Sequence, residues 1–199
     1  MANITMEQIQ ELRGRTGVGM MDCKKALVES NGDMEKALEI LRKKGASIAA
    51  KRSGNATEQG IIHSYIHPGA QVGVLIEVVC ETDFVAKTDD MKNFAADVCM
   101  QIAALKPKYL APEDVDAAFI EKEKAILKEE LIKSGKPEKM VDQIVEGKLG
   151  KIYAEICLIK QTYVKDDKLT IEDLLKGLIA KLGESIKIKR FVRFEIGAE

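Results

Sequence analysis

The stretch Ile61-Ile62-His63-Ser64-Tyr65-Ile66, His67-Pro68-Gly69-Ala70-Gln71, Val72-Gly73-Val74-Leu75-Ile76-Glu77-Val78-Val79-Cys80 decides the fold. Its flanks are rich in β-branched residues and its centre has turn chemistry, so it reads as a β-hairpin. The next residues, Glu81-Thr82-Asp83-Phe84-Val85-Ala86-Lys87, change the period. Thr82 or Asp83 can cap a helix running from about Phe84 to Leu105, where Phe94, Val98, Ile102 and Leu105 mark a buried face. Lys106-Pro107 ends it. The far end of the chain supplies a third strand. From Ser185, Ile186, Ile188, Arg190, Val192, Phe194 and Ile196 alternate with Lys187, Lys189, Phe191, Arg193 and Glu195. That period of two fits a strand able to join the hairpin antiparallel, with the Ile186–Ile196 set as its apolar side.

Upstream of the hairpin the pattern is helical. Thr5 and Gln8 have the spacing of a capping box, and Met6, Ile9 and Leu12 recur on one face. Gly14, Gly17 and Gly19 interrupt, and a second helix carries Met21, Ala26 and Leu27. Asn31-Gly32 ends it, and Asp33 can cap a third helix with Met34, Ala37, Leu38 and Leu41. Gly45 offers a stop, and residues 46–59 turn small and polar. Downstream, Pro112 to Ser134 is a charged helix with apolar pairs Phe119-Ile120, Ile126-Leu127 and Leu131-Ile132. After a break at Ser134-Gly135-Lys136-Pro137, Val141, Val145, Leu149, Ile152 and Ile156 follow at heptad-like spacing. The two helices form an antiparallel arm, in which Gly147 and Gly150 would admit a close neighbour. Residues 161–169 read as polar connection, and Thr170 caps a last helix ending near Gly183.

The fold class is therefore α+β. An N-terminal three-helix bundle, similar to ubiquitin-associated bundles, occupies residues 1–52, and 53–59 form a linker. Residues 60–199 make a core domain: a small three-stranded antiparallel sheet, covering helices, and a helical-hairpin arm at about 112–157.

Composition narrows the function. The chain is 46% hydrophobic and 32% charged, with 5% aromatics and no Trp, which favours helices over an all-β sandwich. Net charge is −1, so no global basic field points to nucleic acid. The first 55 residues hold ten Lys or Arg against seven Asp or Glu, an excess that fits an acidic partner surface or simply a solvated face. Cys23, Cys80, Cys99 and Cys157 lack metal or redox spacing and fall in apolar stretches, as buried free thiols of a cytoplasmic protein do. There is no signal pattern and no apolar run of membrane-spanning length.

Enzyme signatures are missing too: no GxxxxGK[ST], GxGxxG, GxSxG or HExxH occurs. His63 and His67 share a strand face but lack further ligands, so neither a metal site nor a cofactor is expected. Cys80 alternates with buried positions and reads as a core thiol. Lys187 to Arg193 interleaves basic and aromatic residues, as a strand that binds nucleic acid can. A solvated edge strand explains it equally simply. Phe84 is harder to explain. An aromatic at the first position of a helix, on a strand-to-helix corner, is poorly placed for burial and well placed to enter a partner's pocket.

Thr82-Asp83-Phe84-Val85-Ala86 resembles the TDFVA motif of the elongation factor Ts family. Glu11-Leu12-Arg13 and Arg15-Thr16-Gly17-Val18-Gly19-Met20-Met21-Asp22-Cys23-Lys24-Lys25-Ala26-Leu27 are similar to its amino-terminal signature. Asn31-Gly32-Asp33, Ser134-Gly135-Lys136-Pro137 and Arg193-Phe194-Glu195-Ile196-Gly197 extend the likeness along nearly the whole chain. The resemblance implies a non-enzymatic guanine nucleotide exchange factor of translation, whose partner is elongation factor Tu with GDP. It implies that Leu12, Arg13, Met20, Met21 and Lys24 dock on that partner. It also implies that Thr82, Asp83, Phe84 and Val85 form a wedge disturbing the partner's magnesium site, Asp83 and Phe84 being the effector pair. Long family members carry two sheet-containing subdomains where this chain has sequence for one, so a homodimer is expected. Two other classes are a protein-interaction module without exchange activity, which leaves the TDFVA segment unexplained, and a nucleic-acid binder, whose affinity would fall steeply with salt.

Overall fold

The computed structural model describes residues 4–198. Met1, Ala2 and Asn3, which begin the expected bundle, and Glu199 lie outside the described residues.

Three helices open the chain: α1 (Met6–Thr16), α2 (Met20–Glu29) and α3 (Met34–Arg52). Their boundaries follow local chemistry. Thr5 and Gln8 close a reciprocal capping box on α1, and Gly17 ends it at φ 68°. The Asp33 carboxylate accepts from the Glu35 and Lys36 amides to start α3. Ile9, Leu12, Val18, Cys23, Ala26, Leu27, Ala37 and Leu41 form the bundle's core. Met6 and Met21, counted with the apolar faces from sequence, point outward instead.

Gly45 does not stop the third helix. α3 runs on to Arg52, because residue 45 lies against the last long helix, α8 (Ile171–Leu182). A Cβ at Gly45 would sit 3.2 Å from both the Ala180 Cβ and the Lys176 carbonyl oxygen. Glycine here provides close approach, and the packing outweighs its cost of about 1 kcal/mol in a helix. Beyond it, Ile48 and Ala49 pack on the larger core. One helix thus belongs to two cores.

The sheet has the order β1-β2-β5, with β1 (Gln59–Ile66), β2 (Val72–Cys80) and β5 (Ile186–Glu195) antiparallel throughout. Val74, Ile76, Val78 and Cys80 turn inward onto α5 (Asp89–Leu105), through Met91, Phe94, Ala95, Val98, Cys99 and Ile102, and onto Ile171, Leu178 and Ile179 of α8. A bulge at Glu77/Val78 changes the phase of β5. Ile186 and Ile188 face the core as expected, but beyond the bulge Phe191, Arg193 and Glu195 turn inward while Val192 and Phe194 are exposed. The other sheet face therefore carries Ile62, Ile66, Leu75, Val192 and Phe194 in the open, with Gly73 paired between Ile66 and Phe194.

The expected single helix from Phe84 is two: a one-turn α4 (Asp83–Ala86), then α5. The Thr88 hydroxyl donates to the Val85 carbonyl (2.8 Å) and accepts from the Met91 amide (3.2 Å), closing one helix and starting the next. The helix expected from Pro112 begins instead with a 3₁₀ turn over Pro112–Asp114, and α6 (Ala117–Lys133) starts at the Asp116 cap. With α7 (Glu138–Ile156) it forms the arm. Ile120, Leu131, Val141, Val145 and Leu149 are its core, and Leu127, Ile144 and Ile152 pack on it. Among the described residues no neighbour uses the space that Gly147 and Gly150 leave open: a Cβ at either would meet nothing within 4 Å. The segment 161–169, read as plain connection, holds a short ladder of β3 (Thr162–Tyr163) and β4 (Asp166–Thr170). The buried Gln101 side chain secures it, donating to the Thr162 carbonyl and accepting from the Val164 amide. No described helix is long and apolar enough to cross a membrane.

Candidate functional site

β2 ends at Cys80, and the chain turns through Glu81 and Thr82 into α4. Thr82 is extended (φ −123°, ψ 155°), and its hydroxyl accepts from the Val85 amide at 3.4 Å. Thr82 is therefore the cap, Asp83 the first helical residue and Phe84 the second, one place later than the sequence suggested. Val85 and Ala86 are buried in the main core and anchor the turn from below. Phe84 points away from them and is 79% exposed. A phenyl so open is an unfavourable surface group in isolation and a ready contact for an apolar pocket.

Asp83 is half-exposed and accepts from the Lys87 ammonium at 2.6 Å. That bond holds its carboxyl below the usual aspartate value, so a negative charge stands beside Phe84 at neutral pH. Thr82 is engaged inside the molecule. Its amide and hydroxyl both donate to the Glu184 carboxylate, at 3.0 and 2.6 Å. The Glu81 carboxylate accepts from the Ser185 amide and from Arg52, the last residue of α3, at 2.5 and 3.0 Å. The Ser185 bond is the largest influence holding Glu81 below the ordinary glutamate range. Cys80 donates to the Thr82 carbonyl. Burial first, and the Glu184 charge second, raise its thiol pKa, the opposite of what a nucleophile needs.

The second set lies on the bundle. Arg13 near the end of α1 and Met20, Met21 and Lys24 at the start of α2 are exposed, Met21 at 66%. Leu12 is not: it is fully buried in the bundle core, so its side chain is unavailable for docking and supports the surface from within. Val85 is also buried, packed with Ala86 in the main core. The four corner residues are contiguous, and the bundle set forms a separate surface. Among the described residues, α3 connects the two, through Arg52 and Glu81.

The basic strand loses much of its cationic character through pairing. Lys189 and Arg190 both engage Glu77, at 3.0 and 2.6 Å, and Arg193 engages Glu195 at 2.7 Å. Among the described residues no three His, Cys, Asp or Glu gather as a metal site. Sequence alone singles out neither Glu184 nor Arg52, and it shows Glu81 as part of the corner segment without its partners. Glu184 stands in the turn after α8, about 100 residues from the corner it serves, and no periodicity signals such a partner.

A family model described as Elongation factor TS matches residues 7–198. Among relatives named Elongation factor Ts, one from Thermoanaerobacter sp. (strain X514) is 57% identical over 194 residues, which cover 98% of this chain and 95% of that one. One from Carboxydothermus hydrogenoformans is 55% identical, covering 98% and 89%. One from Desulfosudis oleivorans is 54% identical over 197 residues, covering 99% and 100%.

Proposed function

Since the chain belongs to the elongation factor Ts family, we propose that it is a non-enzymatic guanine nucleotide exchange factor acting on elongation factor Tu. The bundle, residues 1–52, docks through Arg13, Met20, Met21 and Lys24. The core, residues 60–199, presents Asp83 and Phe84 to the region that holds the partner's magnesium and phosphates. The observation carrying this reading is Phe84, 79% exposed on a turn anchored by Val85 and Ala86.

Exchange needs no bond chemistry. A nucleotide held at nanomolar strength represents about 12 kcal/mol of binding free energy. A factor that binds best to the distorted, metal-free pocket weakens nucleotide binding by the factor by which nucleotide weakens its own. Burial of one phenyl contributes roughly 1.5–3 kcal/mol to the distorted state, and each ~1.4 kcal/mol of coupling is tenfold in affinity. The rest comes from the bundle and the remaining interface. The Asp83 carboxylate adds negative charge where the partner must release an anion and a cation together.

The active form in this reading is a homodimer. The outer sheet face exposes Ile66, Phe194, Leu75, Val192 and Ile62 across three strands, with Ser64, Glu77 and Arg190 on the same face. A second copy packed sheet to sheet across a two-fold axis covers it with the same residues. Release of fluorescent GDP from elongation factor Tu, with and without the protein, tests the function. Acceleration with no nucleotide bound by the isolated chain is the expected result. An unchanged release rate overturns the proposal.

A further inference from the structure

The turn bearing Phe84 is fastened by a carboxylate distant in sequence. Past the last ladder pair, Cys80 with Ile186, the two chains separate into different turns. There each turn offers a glutamate to the other's backbone: Glu81 takes the Ser185 amide, and Glu184 takes the Thr82 amide. Glu184 also takes the Thr82 hydroxyl at 2.6 Å, a short bond to a carboxylate oxygen. The cap that Thr82 itself gives to α4 is long by comparison, at 3.4 Å to the Val85 amide. α4 has only four residues, too few for a helical ladder to stiffen it.

We infer that Glu184 is a positioning residue for exchange: by holding the Thr82 amide and hydroxyl it fixes the direction in which Phe84 leaves the corner. The inference rests on the exchange reading above. Two sides of the turn are then defined. Val85 and Ala86 hold it to the core from below, and Glu184 holds its entry from the α8–β5 turn. Arg52 gives the same corner a link to the docking helices, because it ends α3 and bonds Glu81. A wedge held this way enters its pocket already oriented. A wedge on a loose turn must be ordered during the encounter, and the loss falls on the step that distorts the partner.

The test uses the full chain and stimulated release of fluorescent GDP from elongation factor Tu, measured against factor concentration. Glu184→Ala is expected to lower the maximal release rate about tenfold, with the half-saturating concentration changed less than about twofold, as for an interaction used mainly in the distorted state. Glu184→Gln is expected to retain most of the rate. Its amide oxygen accepts from the Thr82 N–H and its NH₂ donates to the Thr82 hydroxyl, so the geometry survives without the charge. In the Phe84→Ala background, Glu184→Ala should slow release no further, because its effect passes through the phenyl. A Glu184→Ala variant at the wild-type rate, or an equal additional loss in the Phe84→Ala background, overturns the inference. If Glu184→Ala does not fold, Glu184→Asp, which retracts the carboxylate by one methylene, serves in its place with the same outcomes. A wild-type chain that leaves GDP release unchanged defeats the exchange reading itself, which separates the two failures.

Discussion

Phe84 shows how little of the molecule's stability is invested in its most prominent side chain. At 79% exposure it contributes almost nothing to the core, whereas Val85 beside it is 8% exposed. Phe84→Ala is therefore expected to melt within about 0.5 kcal/mol of the parent, as surface substitutions do. It should slow stimulated GDP release by about tenfold or more, if the phenyl supplies its usual burial energy in the complex. Thermal melts and release kinetics on the same preparation check both halves, and an unfolded variant would place Phe84 in the core. Glu195 is the opposite kind of residue. The bulge turns it inward, where bonds from Arg193 and then Lys106 lower its pKa from 4.5 to about 2. A carboxyl lowered by folding contributes stability above its unfolded pKa, and that contribution is lost as pH falls through its folded one. Glu195→Gln should thus melt below the parent at pH 7, and the gap should close between pH 4.5 and 2. A gap independent of pH would assign the residue a packing role only.

At the level of elements, the arm offers a clean comparison. Among the described residues, a Cβ at Gly147 or Gly150 would meet no atom within 4 Å, and neither residue has a positive φ. Alanine at each should stabilise α7 by about 0.5–1 kcal/mol, through reduced unfolded-state freedom. Thermal melts measure this, and unchanged exchange activity would show that neither glycine meets the partner. The same arm shows what sequence can and cannot tell. Of the pairs Phe119-Ile120, Ile126-Leu127 and Leu131-Ile132, periodicity finds the positions, but only packing selects Ile120, Leu127 and Leu131 as inward. Capping residues were readable because their chemistry is local: Thr5, Asp33 and Thr170 each start a helix as expected. The inward turn of Phe191 in β5 was not readable, since the bulge responsible involves its neighbour β2. Gly45 misled for a related reason: its role is set by Ala180, which lies far along the chain. At the candidate site, Thr82, Asp83 and Phe84 were legible as a local motif, while Glu184 became visible only with tertiary structure.

For the whole molecule, the exposed sheet face is the contact surface of the proposed dimer. Sedimentation at micromolar concentration should give twice the chain mass of 22.0 kDa. Val192→Lys together with Phe194→Lys should give the single-chain mass, because like charges would then face each other across the two-fold axis. A parent sedimenting as one chain with full exchange activity would show that a single sheet suffices. A different property follows from α3. Ala37 and Leu41 sit in the bundle core, and Ile48 and Ala49 pack on the sheet core, along one 19-residue helix of roughly 28 Å. Melting either core strips a wall from the other and frays the hydrogen-bond ladder both share. Scanning calorimetry should accordingly record one endotherm for bundle and sheet together, and only the arm, with its own core, can contribute a shoulder at lower temperature.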